Sequence, residues 1–266
     1  MTSKYSFYHL PNKEATGLNS KEIQEYILKW SMKKCLSIAY YAFNQEFCEE
    51  NIDLFILDFF QDSNVAKTLQ IDPDTFLEDK VAKVKIEEVP CTVTSMAFFD
   101  RLLDSQNNVV CNGQDKEDNH LIRLCMEDYK HGIYITNNLK MMLLDDECEE
   151  YALYDREERA EFIFRLFKHL VVGGIWCQDD TIIEPYLDAT KSIYKDLLAV
   201  EKMSDSKQPS VASRVYRVVA LNSNNTVIFP KAHTESADYS FAYLTVYPKT
   251  RTVALLVHNV GSTIYV

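Results

Sequence analysis

The feature that most narrows the folds open to this chain is a pair of helical stripes in its middle, separated by a double glycine. Ile163, Leu166, Phe167 and Leu170 recur at the three- and four-residue spacing that lines one face of an α-helix. Glu161 and Arg165 lie one turn apart, carboxylate first, and are expected on the wet face of that helix. Gly173-Gly174 ends it, because glycine accepts the left-handed backbone that closes helices. Ile183, Leu187, Thr190, Tyr194 and Leu197 then repeat at alternating steps of four and three, with Asp180 or Thr181 as the expected cap and Pro185 in the first turn. Between the two stripes, the short apolar Ile175-Trp176-Cys177 reads as a strand.

Two such stripes must be buried against a further layer, and the tail supplies one. Val215 to Leu221, the turn Asn222 to Asn225, and Thr226 to Phe229 have the pattern of a hairpin. Phe241 to Tyr247 and Thr252 to His258, joined by Pro248-Lys249-Thr250-Arg251, form a second. Nearer the start, Asn19 or Ser20 caps a helix carrying Ile23, Tyr26, Ile27 and Trp30 on one face. Leu36 to Phe43 reads as a buried strand, Ile52 to Phe60 as a helix, and Asp72-Pro73-Asp74 as a break. Val84 to Val89 reads as a strand stopped by Pro90, after which Thr94 or Ser95 opens a helix bearing Met96, Phe99 and Leu103. The polar stretches Asn112 to His120 and Lys202 to Ser213 read as exposed loops. The expected fold is one α+β domain over residues 1–266, with helices packed on a mixed, mainly antiparallel sheet and a C-terminal pair of β-hairpins. Its exposed loop is expected near 202–213.

Composition agrees with a well-packed interior: 47% of the 266 residues are apolar, and Tyr 16 and Phe 14 stand against only Gly 6. Aromatic residues on the identified elements follow their periodicity and are assigned to the core. A net charge of -12 repels phosphate backbones, so nucleic acid is disfavoured as a partner. No apolar run reaches the ~18 residues that span a bilayer, and the first ten residues lack a secretory pattern, so no membrane segment is expected and the protein reads as soluble and intracellular. Asn224-Asn225-Thr226 therefore reads as a turn rather than a glycosylation acceptor. The seven cysteines, at 35, 48, 91, 111, 125, 148 and 177, include no CxxC pair and fit neither a zinc site nor a disulfide framework.

No constellation of enzyme chemistry stands out. The sequence has no GxGxxG, no phosphate-binding Gly-Lys-Ser/Thr loop, no GxSxG, no HExxH and no calcium loop, so no cofactor or metal is expected. His169 and Cys177 flank the double glycine and are the minimal parts of a nucleophilic pair, but Cys177 in an apolar segment favours the neutral thiol and hence a core role. From Asp145 to Glu161, nine carboxylates stand against two arginines. Within that run Asp145, Asp146, Glu147, Glu149 and Glu150 form a candidate acidic patch for a basic partner; the competing reading is a solvated helix end, and a calcium site is disfavoured because no glycine turn is present.

Several segments resemble the cilia- and flagella-associated protein 300 family. They are Val89-Pro90-Cys91-Thr92 with Ser95-Met96, Phe98-Phe99 and Arg101-Leu102; Asp155-Arg156-Glu157-Glu158 with Phe164 and Leu166-Phe167-Lys168-His169-Leu170; and Gly173-Gly174 with Cys177-Gln178. The likeness continues through Pro185-Tyr186-Leu187, Thr190-Lys191 and Ile193-Tyr194-Lys195-Asp196-Leu197 to Ser240-Phe241, Tyr243, Pro248, Arg251 and His258. The first eighty residues match more loosely, chiefly at Leu10-Pro11, Ser20-Lys21-Glu22-Ile23 and Trp30-Ser31-Met32. The resemblance implies a protein of the cytoplasm and the ciliary axoneme. It implies a non-catalytic adaptor or assembly factor for outer and inner dynein arms, whose partners are dynein-arm preassembly factors and the intraflagellar transport machinery. The alternatives are a stable structural component of the axoneme, or an enzyme whose site joins residues distant in sequence.

Overall fold

Phe241–Tyr247 and Thr252–His258 are apolar at nearly every position rather than at every second one, which is the pattern of strands covered on both faces. The computed structural model, which describes residues 4–69, 80–112, 120–202, 209–231 and 239–260, shows that covering directly. The described chain runs β1 (Phe7–His9), α1 (Lys21–Lys29), β2 (Leu36–Phe43), α2 (Ile52–Gln61), α3 (Ser63–Thr68), β3 (Lys83–Val89), α4 (Asp100–Leu103), β4 (Val110–Asn112) and β5 (His120–Ile122). It continues through β6 (Leu124–Lys130), β7 (Ile133–Asn137), α5 (Asn138–Leu144), α6 (Arg156–Ala160), α7 (Phe162–Val172) and α8 (Glu184–Leu197). The last elements are β8 (Val200–Lys202), β9 (Pro209–Val211), β10 (Arg214–Leu221), β11 (Val227–Phe229), β12 (Phe241–Tyr247) and β13 (Thr252–His258).

The main sheet has the order β1-β2-β13-β12-β10-β11, with β3 paired along the opposite edge of β10. Every described ladder is antiparallel, so no parallel component of the expected mixed sheet occurs among the described residues. Successive residues of a strand point to opposite faces. In β13, Val253, Leu255 and Val257 pack under α2 and α3, with Phe55, Phe59, Phe60 and Val65. Ala254 and Leu256 face the other way, into a larger cluster built from α1, α5, α7 and α8. The fold is α+β, with helices on both sides of the sheet.

Local sequence accounts for most of these elements. Ser20 accepts the Ile23 amide and caps α1, which buries Ile23 and Ile27. The strands read from the sequence at Leu36–Phe43, Phe241–Tyr247 and Thr252–His258 have those bounds in the structure. The helix at Ile52 is α2, Pro90 follows the last residue of β3, and the hairpin from Val215 is β10–β11. The Asp72-Pro73-Asp74 break lies outside the described residues.

Several expectations are corrected. Ile175-Trp176-Cys177 is a turn, not a strand: the Cys177 amide bonds back to the Gly174 carbonyl at 3.1 Å, and Trp176, assigned to the core, is 77% exposed. Glu161 and Arg165 are not on a wet face. Glu161 is buried and accepts from the Thr92 amide and hydroxyl at 3.0 and 2.6 Å, while Arg165 pairs with Glu87 at 2.7 Å. The reason is that Phe162, Phe164, Val171 and Val172 are buried too, so α7 is enclosed well beyond one stripe. Neither Asp180 nor Thr181 caps α8, whose N-cap position is Ile183, although Pro185 does sit in the first turn. The helix after Ser95 starts as a 3-10 turn, Met96–Phe99, and it buries Leu102 more fully than Leu103. The ends of the two expected loops are strands: β4 pairs β5 and β8 pairs β9, while residues 113–119 and 203–208 lie outside the described ones.

A sealed polar hub, an acidic run and an exposed hairpin

The double glycine places the most polar part of the interior. Gly173 has φ +67°, and a Cβ there would stand 2.5 Å from Cys177 Sγ and 2.9 Å from the Trp30 carbonyl oxygen. A Cβ on Gly174 would collide with the Ser31 carbonyl oxygen. That close approach lets the Gly174 amide donate to the Trp30 carbonyl at 2.8 Å and the Gln178 amide to the Lys29 carbonyl at 3.1 Å. The end of α1 is thereby joined to the segment leading into α8.

Two consecutive carboxylates follow. Asp179 takes Lys140 Nζ at 2.6 Å on one oxygen and the Thr136 hydroxyl and Asn137 amide at 3.0 and 3.1 Å on the other. The Lys140 side chain is only 6% exposed, so this pairing neutralises a charge that would otherwise be costly to bury. Asp180 accepts the Trp30 indole N–H at 2.6 Å and pairs with Lys29, while its own amide donates to the Tyr186 hydroxyl at 3.0 Å. Trp30 and Tyr186 stack with centroids 4.6 Å apart.

Both aspartates reach a cleft of about 860 Å³, whose walls include Leu121, Arg123, Leu124 and Asn137. Arg123 Nε donates to the Val110 carbonyl at 3.0 Å. The aspartate oxygens are thus engaged by the chain's own donors, which makes the cleft floor a structural clamp. No cluster of three or more metal-ligating side chains occurs among the described residues.

His169 and Cys177 are held in different environments. His169 Nε2 is 2.9 Å from the Tyr243 hydroxyl, and its ring stacks on Phe241 at 3.7 Å. Burial drives its pKa well below the usual value, so the imidazole is neutral. Cys177 contacts Asp179 at 3.6 Å, and burial pushes its thiol up to about 12. A thiol so far from ionisation at neutral pH is a poor nucleophile.

The acidic run begins at the end of α5, where carboxylates meet the negative end of the helix dipole and need compensation. Lys130 provides it, at 3.2 Å from Asp145 and 3.6 Å from Glu147. The Asp145 carboxyl lies below its usual range, chiefly because it accepts the Glu147 amide. Glu150 reaches back to the Asn108 amide. Asp146, Glu147 and Glu149 are exposed, whereas Asp145 and Glu150 are half-buried. The run continues into α6, where Asp155 and Glu158 form a capping box and Arg101 grips Glu158 with two bonds at 2.7 and 2.9 Å.

Beside that run stands the β6–β7 hairpin, which has no counterpart in the sequence reading. His131 and Gly132, at φ +52° and +76°, make its two-residue turn. Ile133 and Ile135 face the core, while Leu124, Met126, Tyr129 and Tyr134 face outward and are 83%, 90%, 68% and 39% exposed. The sequence signal for it was His131-Gly132 between runs rich in Tyr and Ile.

The comparisons with known proteins fit this chain over nearly its whole length. The family described as cilia- and flagella-associated protein 300 matches residues 4–258. A protein of that description from Chlamydomonas reinhardtii is 27% identical over 250 residues, covering 91% of this chain and 93% of its own. Another, from Paramecium tetraurelia, is 26% identical over 253 residues, covering 95% and 92%. No solved structure matches the chain. Among the described residues, no helix is long and apolar enough to cross a membrane. The match from residue 4 to 258 decides the assignment: the chain belongs to the cilia- and flagella-associated protein 300 family, a family of cilium- and flagellum-associated proteins.

Proposed function

We propose that the protein is a non-catalytic adaptor or assembly factor for the outer and inner dynein arms of the axoneme, working with dynein-arm preassembly factors and the intraflagellar transport machinery. The observation that carries this reading is the exposed apolar face of the β6–β7 hairpin in a family associated with cilia and flagella. Large contiguous apolar groups left in water are characteristic of surfaces that bind other proteins. The state of the sequence-selected reactive pair supports the same reading: a neutral buried His169 bonded to Tyr243, and a Cys177 thiol at about 12, are poorly suited to nucleophilic chemistry. The carboxylates at the cleft floor, engaged by Lys140 and Trp30, point the same way.

Electron microscopy of axonemes from ciliated cells lacking the protein provides the test. Loss of both dynein-arm rows is expected; full rows of both arms would overturn the reading. Fractionation separates the assembly role from a structural one, since an assembly factor extracts into the soluble fraction while an axonemal component stays with salt-washed axonemes.

A further inference from the structure

We propose that the outer face of the β6–β7 hairpin, together with the acidic run beside it, is a docking surface for a basic amphipathic segment of a partner protein. The inference rests on the adaptor reading and adds to it the place and the chemistry of the partner. Leu124 and Met126 are more exposed than any other large apolar side chains of the described chain. Tyr129 and Tyr134, cross-strand partners with rings 4.9 Å apart, add two exposed aromatic side chains nearer the tip of the hairpin. At the base of the hairpin, Leu124 shares the wall of the cleft with Leu121 and Asn108.

The charge around this face is predominantly negative. From Leu121 to Glu150, seven carboxylates stand against three cations, Arg123, Lys130 and Lys140. Lys140 is engaged by Asp179, and Lys130 by Asp145 and Glu147. The acidic run follows the strand from end to end: it meets Lys130 near the tip, and Glu150 bonds Asn108 at the cleft rim. Glu127 and Asp128, both exposed, lie on β6 itself. A surface with an apolar stripe and a carboxylate border is complementary to a segment that presents apolar side chains on one face and Lys or Arg along its edges. The same border disfavours two other occupants. A second copy carries the same net charge of -12, and an anionic membrane surface is repelled by the exposed carboxylates.

The test uses the full chain and a fluorescein-labelled Leu/Lys peptide designed to be an amphipathic helix, with binding read by fluorescence anisotropy at low and high salt. Its comparators are a scrambled peptide of the same composition without an apolar face, and a Leu/Glu peptide. Binding of the amphipathic Leu/Lys peptide alone is expected, and it should weaken with salt. Replacing both apolar side chains, Leu124→Ser with Met126→Ser, should weaken it roughly tenfold or more. Reversing Asp146→Lys with Glu149→Lys should weaken it less and flatten its salt dependence. Thermal melting checks that these exposed substitutions leave the fold intact.

Equal binding by the Ser variant, or equal binding of the scrambled peptide, would overturn the proposal. So would concentration-dependent dimers in sedimentation that vanish in the Ser variant, because the face would then belong to a second copy. Re-expression in ciliated cells lacking the protein separates this inference from the functional reading. A Ser variant that fails to bind the peptide but restores both arm rows sinks the docking surface alone. Intact arms in cells without any of the protein sink the adaptor role.

Discussion

Trp30 donates its indole N–H to Asp180 at 2.6 Å, across 150 positions of sequence. This bond, with the Lys29 pair on the other oxygen, ties the end of α1 to the segment that starts α8. Asp180→Ala leaves a buried donor and a cation without their acceptor, and is expected to lower stability by about 1–3 kcal/mol. Urea unfolding with an unchanged slope reads the loss. A midpoint that does not move would show that the indole finds water instead.

The close contact at Gly174 gives a second prediction. Gly174→Ala pushes a methyl group into the Ser31 carbonyl oxygen, which is backbone and cannot swing aside. About 1–3 kcal/mol is expected to be lost, several degrees of melting temperature for a chain of this size. Gly132→Ala is the control: its φ of +76° strains an alanine, but nothing lies within 4 Å of the new Cβ. Gly174→Ala should be the more damaging of the two; the reverse order would remove the steric account.

Acid should destabilise the protein partly through histidine. Burial lowers His258 from 6.5 to about 4, against a smaller opposing effect of its bond to the Tyr239 carbonyl, and it lowers His169 as well. The unfolded chain then binds more protons, so the stability held by neutral His258 is present above about pH 6.5 and is lost as the pH falls toward about 4, amounting to about 3 kcal/mol in all. Between about pH 7 and about pH 4.5, His258→Gln should lose about 2–3 kcal/mol less than the wild-type chain in denaturant unfolding. Parallel pH profiles would rule this out.

Thiol reactivity is the fourth expectation. Cys177 and Cys91, both at about 12 through burial, should resist iodoacetamide in the native state at about pH 8 and react only on unfolding. Peptide mass spectrometry after timed labelling measures it. Rapid native alkylation of Cys177 would reopen the case for a nucleophile. Cys177→Ala with folding intact is expected to restore dynein arms in cells lacking the protein.

The sequence by itself determined the elements whose side chains repeat at a fixed period. The stripes of α1, α7 and α8 and the strands β2, β12 and β13 were legible because periodicity is a local property of the chain. The candidate acidic run was legible for the same reason, as a local excess of charge. Tertiary structure decided which faces were covered and which charges found partners. Glu161 reads as a solvent-facing residue until Thr92, 69 positions away, supplies its donors. Lys140 interrupts an apolar run until Asp179 arrives from the far side of α7. Asp180 has the position of a helix cap, but Trp30 and Lys29 claim its oxygens. Leu124 and Met126 stay in water while Ile133 and Ile135 of the same hairpin meet the core, a division that no local period announces. Burial and pairing depend on what distant segments bring to the same place, and no local pattern carries that information.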